Sequence, residues 1–221
     1  ARLMFLNYPN NPTGATVTVE FFNQVVDLAK KHNLIVCHDA AYTEISYDGY
    51  QAPSFMQATG AKEVGIEFHS LSKTCNMTGW RIGFAVGNAE ILSGLLFVKS
   101  NLDSGVFGAI QEAGITALSG DMGYVTELRN IYQKRRDVLV KGLKQCGLSV
   151  TVPKAGFYVW IDVPKQYKSM AFTEKLLQEA GIVSTPGIGF GKFGEGFVRM
   201  TLTTTEARLA EAVDRIAKIK L

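Results

Sequence analysis

Cysteine is scarce in this chain: Cys37, Cys75 and Cys146 are the only three among 221 residues, and no two stand in C-x-x-C spacing. An odd, dispersed set argues against a disulfide scaffold or a cysteine zinc site and favours a reducing compartment. Cys75 is expected to be a packed thiol. Histidine is equally sparse, and neither His32 nor His38 has partners at metal-ligand spacing, so no metal site is expected. His32 reads as a helix-end cation, His38 as a packed residue or one standing behind a site. Charge of one sign is also lacking. The formal net charge of +3 is too mild for a nucleic-acid binder, and the pairs Lys30-Lys31 and Arg135-Arg136 read as helix-surface charge. No apolar run is long enough for a bilayer, and no basic-then-apolar leader opens the chain, so neither membrane nor export is expected. A hydrophobic content of 47% with 19% charged residues suits a globular chain that buries a core.

The elements present alternate. Leu3 to Tyr8 has strand length and looks like core, followed by the turn-rich Pro9-Asn10-Asn11-Pro12-Thr13-Gly14. Thr18 is a candidate N-cap for a helix in which Phe21, Phe22, Val25, Val26, Leu28 and Ala29 recur at helical spacing, closed by Lys30-Lys31-His32. Leu34 to Cys37 is the next strand. Strand, helix and strand in this length form a crossover between parallel strands. With a third strand ending near Phe68, three loops then open on one sheet edge, so Asn11, Asp39 and Lys73 can converge. Asn88 is a cap for a helix to about Leu102, whose Leu92, Leu95, Leu96 and Val98 are expected in the core. Further helices are expected over Phe107 to Leu118 and Asp121 to Cys146, stopped by Gly147. Strands follow at 148–152, 156–163 and 196–203, with an extended piece at 182–184. Helices are expected at 171–180 and from a Thr205 cap to about Lys218. The Gly-rich 187–196 segment lacks the following helix of a phosphate cradle and reads as a mobile cover over a substrate.

One stretch organises the rest. Phe68-His69-Ser70-Leu71-Ser72-Lys73-Thr74 leads through Cys75-Asn76-Met77-Thr78-Gly79-Trp80 to Arg81-Ile82-Gly83. A lysine in an arbitrary loop is a solvated lysine. Here it stands at a strand end among small hydroxyls, with glycines that allow close backbone approach and a permanent cation suited to phosphate at Arg81. Asp39 alone reads as a turn or cap aspartate, Asn11 as a turn residue before proline. Arg199, inside the apolar strand Phe197-Val198-Arg199-Met200, is costly unless paired; it forms either a salt bridge to a structural carboxylate or a fork for a substrate carboxylate.

The Ser70–Gly83 stretch resembles the pyridoxal-phosphate attachment site of the class I and II aminotransferases, and the likeness runs through the whole stretch. The resemblance implies an α/β chain of fold type I, with a mostly parallel sheet and a smaller α+β C-terminal domain. It implies the C-terminal part of a cofactor-binding large domain over 1–120, a connecting helix over 121–146 and the small domain over 147–221. It covers essentially all of the chain but only the C-terminal part of a whole family member, which agrees with a first residue that opens directly on a strand. Pyridoxal 5'-phosphate is the implied cofactor, with Lys73 its attachment and proton-transfer residue. Ser70 and Arg81 hold its phosphate, Asp39 keeps its ring nitrogen protonated, and Tyr42 and Asn11 hydrogen-bond its ring hydroxyl. Arg199, with Asn11 beside it, is implied to take the substrate carboxylate. The implied partners are amino acids, 2-keto acids and a second copy of the chain in a homodimer approached through Ser100–Gly105, in the cytoplasm or, in a plant, the plastid stroma. Within the family, Lys99–Phe107 and Thr185–Gly191 carry a narrower likeness to members of lysine biosynthesis. Aspartate- and alanine-type members, a non-catalytic cofactor-binding domain and an inactive fragment remain alternatives.

Overall fold

A computed structural model describes residues 1–221. Residues 1–9 with 16–127 form one compact unit, and residues 10–15 with 128–221 form a second.

The first unit is built on a four-stranded sheet. Strands β1 (Leu3–Asn7), β2 (Ile35–Asp39), β3 (Gly65–Ser70) and β4 (Gly83–Gly87) lie in that order. The first three are parallel, and β4 runs antiparallel to β3. Register sets Asn7 beside Asp39 and Asp39 beside Phe68, so the carboxyl ends of the parallel strands share one edge.

Helix α1 (Val19–His32) crosses from β1 to β2. The Thr18 hydroxyl accepts from the Phe21 N–H, and Asn33 ends the helix in the left-handed region. Its buried face is Phe22, Val25, Val26 and Ala29, the spacing of one helical stripe, and it joins Val36 and Phe55 in one core cluster. Two one-turn helices, α2 (Ala61–Val64) and α3 (Leu71–Thr74), flank β3.

Helices α4 (Ala89–Leu102) and α5 (Gly108–Ser119) follow β4, with the Asn88 side chain accepting from Ile91 N–H. The sequence expectation of core leucines on α4 fails. Leu95, Leu96 and Val98 are 37%, 66% and 54% exposed, and the helix buries no residue. Leu3 and Phe5 of the expected core strand are also exposed. Apolar side chains become core only when another element covers them, and in this unit none covers these.

Helix α6 (Gly123–Gln145) is followed in the second unit by β5 (Tyr158–Asp162), α7 (Ser169–Ala180), β6 (Thr185–Pro186), β7 (Phe197–Thr201) and α8 (Glu206–Ile216). β7 is central, antiparallel to β5 on one side and β6 on the other. Leu139, Leu143, Val159, Ile161, Phe172, Leu176, Val198 and Leu202 are buried.

Two strand expectations are corrected. Residues 148–152 supply only a bridge from Val150 to Ile161, because no continuous run of partners pairs with them. Residues 182–184 are not a strand; the rung on β7 is Thr185–Pro186. The 187–196 segment, expected as a mobile cover, folds into two 3-10 turns at Gly187–Phe190 and Lys192–Gly194. The two glycines abut so closely that a Cβ on Gly187 would sit 1.9 Å from the Gly194 carbonyl. No helix is long and apolar enough to cross a membrane.

Candidate active site

In the first unit, the shared strand edge gathers most of the residues singled out in the sequence. Asp39 ends β2 with an exposed side chain. Its Oδ1 accepts from the Ala41 N–H at 3.1 Å, and its carbonyl accepts from the Asn7 side-chain amide at 2.9 Å. The turn that follows buries Tyr42, whose ring is 7% exposed. Ser70 ends β3 and caps α3, its hydroxyl accepting from Ser72 N–H. One turn on, α3 presents Lys73, half-buried, with Nζ 5.9 Å from the centre of the Tyr42 ring. A cavity of about 290 Å3 opens between Phe5, Asp39, Phe68, His69 and Ser70.

Arg81 stands just before β4 in the left-handed region at φ 53°, a conformation uncommon for a side chain other than glycine or asparagine. It is exposed, and its guanidinium donates to the Thr78 carbonyl at 3.0 Å. Cys75 is half-buried and accepts from the Tyr124 hydroxyl at 3.1 Å. Burial, then the neighbouring thiol, pushes the Tyr124 phenol up to about 12.

The first unit thus offers an amine, a carboxylate, a phenol, a hydroxyl and a guanidinium. Groups of these kinds could hold pyridoxal phosphate, since an amine can take an aldehyde, a carboxylate a ring nitrogen, a phenol a ring oxygen, and a hydroxyl with a guanidinium a phosphate. The cavity is polar at Asp39, His69 and Ser70 and apolar at Phe5 and Phe68.

The second unit holds Asn11 and Arg199. Residues 10–15 form a tight turn in which Asn10 accepts from Gly14 N–H through its carbonyl and from Thr13 through its side chain. Gly14 has φ +70°, and a Cβ there would meet Pro153 at 2.9 Å, so glycine is needed. Arg199 of β7 is half-buried. It donates to Asn11 Oδ1 at 2.8 Å and to the Thr185 hydroxyl at 3.4 Å. Its guanidinium carbon lies 4.1 Å from the Tyr158 ring centre and 4.9 Å from that of Phe190. The structural-carboxylate alternative is therefore not what holds Arg199: its partners are an amide, a hydroxyl and two aromatic faces.

Sequence reading gave these two rings no role: Tyr158 lies in the aromatic run 157–160 and Phe190 in the Gly-rich 187–196 segment. It also missed Glu67, a carboxylate with a side chain 1% exposed inside β3. Burial opposes its ionisation, but hydrogen bonds from His38, His69, Ser54 and the Phe55 N–H more than offset this and hold its carboxyl well below the usual range.

Residues 1–216 match the family described as aminotransferase class I and II. The chain is 59% identical over 219 residues to an LL-diaminopimelate aminotransferase of Syntrophobacter fumaroxidans, covering 99% of this chain and 56% of that protein. A second LL-diaminopimelate aminotransferase, from Moorella thermoacetica, is 54% identical with the same coverage. Among solved structures, substrate-bound BacF of Bacillus subtilis superposes with a TM-score of 0.96 at 41% identity, covering all of this chain and 56% of that one. A probable N-succinyldiaminopimelate aminotransferase of Thermus thermophilus gives 0.93 at 37%, covering 99% and 58%. The chain therefore spans just over half the length of the relatives it matches.

Proposed function

The chain belongs to the class I and II aminotransferases, a pyridoxal-phosphate-dependent family of fold type I, and on that premise we propose that the protein it forms part of is an LL-diaminopimelate aminotransferase. The reaction would interconvert tetrahydrodipicolinate and LL-diaminopimelate, with glutamate and 2-oxoglutarate as the other pair. The observation that carries this reading is the set Lys73, Tyr42, Asp39 and Ser70 at one edge of the parallel strands, with the Lys73 amine facing the Tyr42 ring. Relatives at 50–59% identity bearing this name support the choice of substrate.

When bound, the cofactor supplies an electron sink for the charge left at the substrate α-carbon. Lys73 would hold the cofactor's aldehyde carbon through Nζ, and the same amine would take the substrate α-proton as base and return it as acid. The Asp39 carboxylate would stabilise a positive ring nitrogen. Tyr42 and Asn11 would donate to the ring oxygen, and Ser70 and Arg81 would hold the phosphate. Arg199 fixes the substrate α-carboxylate, its guanidinium already aimed by Asn11, Thr185 and two rings. A homodimer in the cytoplasm belongs to the same proposal; exposed Leu96, Phe97, Leu102 and Phe107 support the dimer alone.

The test is the complete protein assayed with LL-diaminopimelate, aspartate and alanine as donors to 2-oxoglutarate. The expected result is preference for LL-diaminopimelate and loss of all transamination in Lys73→Ala. Turnover retained in that variant would refute the lysine assignment; preference for aspartate or alanine would refute the substrate.

A further inference from the structure

Glu67 is the hub of a buried polar cluster in the first unit. Its Oε2 accepts from the Phe55 N–H at 2.5 Å and lies 2.8 Å from His38 Nδ1. Its Oε1 accepts from the Ser54 hydroxyl at 2.7 Å and lies 2.7 Å from His69 Nε2. His38 is 0% exposed, edge-on to Phe22 at 4.9 Å between ring centres. Its second nitrogen, Nε2, is 3.0 Å from the Tyr8 carbonyl.

The donor and acceptor count fixes the protons. A backbone carbonyl accepts and never donates, so His38 Nε2 carries a proton. An ionised carboxylate also only accepts, so His38 Nδ1 carries a second. The rival arrangement moves that second proton onto Glu67 Oε2, the oxygen that already takes the short Phe55 N–H bond, and gives up a carboxylate surrounded by donors from four residues. We infer that His38 is held as a buried imidazolium paired with Glu67, and that this pair, with His69, is the anchor that positions the roots of the cofactor loops.

The positioning follows from where the cluster attaches. Tyr8 ends the segment that leads from β1 into 9–14. His38 directly precedes Asp39, and His69 directly precedes Ser70 and the α3 turn that carries Lys73. Side chains of successive strand residues point to opposite faces. The cluster therefore lies on the α1 face of the sheet while Asp39 and Ser70 face the other side, and it ties three strand ends together from behind. A further titratable group near it is Glu44, which lines a small cavity with His69. Helix α1 and the turn at 55–57 bring the rings of Phe22 and Phe55 to His38. The positioning half rests on the roles proposed for Lys73 and Asp39; the protonation half does not.

The experiment uses the complete protein. Nitrogen-15 NMR of labelled histidine at neutral pH is expected to show both His38 ring nitrogens protonated, as the Glu67 carboxylate on one side and the Tyr8 carbonyl on the other require. A pyridine-type nitrogen on His38 under those conditions overturns the inference. Glu67→Gln, which removes the ionised acceptor, is then expected to leave one His38 ring nitrogen unprotonated under the same conditions. It should also shift the pH midpoint of the bound cofactor's absorbance and lower kcat about tenfold with KM within about twofold. Ser54→Ala, which removes one donor and keeps the ion pair, should shift the same midpoint in the same direction by less, and it serves if Glu67→Gln fails to fold. An absorbance titration identical to wild type in both variants overturns the positioning role. Borohydride reduction and mass analysis of wild type separate the two readings. If Lys73 carries no cofactor, the proposed function and the positioning role fall, while the His38 assignment stands on its own spectrum.

Discussion

Replacing Tyr158 by leucine tests the idea that Arg199 is aimed at a carboxylate by aromatic faces. The Tyr158 ring centre lies 4.1 Å from the guanidinium carbon, well inside the reach of a cation–π attraction, and that of Phe190 lies at 4.9 Å. Arg199 is half-buried, so the Tyr158 ring is worth about 1 kcal/mol, between the exposed and desolvated limits. Leucine fills much of the same space and offers no quadrupole. The guanidinium keeps Asn11 and Thr185 but loses its closest face. Because the carboxylate is held alike before and during reaction, the loss falls on KM: about a fivefold rise for amino and keto acid alike, with kcat nearly unchanged. Tyr158→Phe retains the ring and should stay within about twofold of wild type. Steady-state kinetics on the complete protein reads the difference. If the leucine and phenylalanine variants behave identically, the aromatic clamp is refuted.

Stability is tested in two other places. Phe22 is 0% exposed in the cluster between α1 and the sheet, and Phe22→Ala should cost about 3–5 kcal/mol in urea unfolding; a cost below about 1 kcal/mol would mean that the site collapses around the lost ring. Glu67 gives a pH dependence of fixed sign. Its folded-state carboxyl is depressed, so its stabilisation is present above the unfolded value of about 4.3 and is lost as pH falls toward the folded value. The stability gap between wild type and Glu67→Gln should therefore narrow by about 1.4 kcal/mol per pH unit below about 4.3, and a gap that stays constant would contradict the depressed carboxyl.

The legible parts of this protein are those written in near neighbours. Thr18 and Asn88 cap their helices because their oxygens reach an N–H three residues on. The α1 face was readable because Phe22, Val25, Val26 and Ala29 repeat at the helical period. The placing of Asp39 and Lys73, two of the three residues expected to converge, at one edge followed from parallel strands ending in register. The α4 leucines misled because periodicity reports that a face is apolar, never whether anything covers it. The 148–152 strand misled because a pairing partner is needed to make a strand, and only one bridge forms there.

By itself, then, the sequence determined the alternation of elements, the helix ends and the chemistry-bearing motif from Ser70 to Gly83, since each depends on residues a few positions apart. Only the tertiary structure decided the company those residues keep: two rings and an amide around Arg199, and a carboxylate between two histidines beneath the strand ends. Burial and hydrogen-bond satisfaction are set by groups distant in the chain, such as Asn11 and Arg199, 188 residues apart, and no local pattern records that meeting.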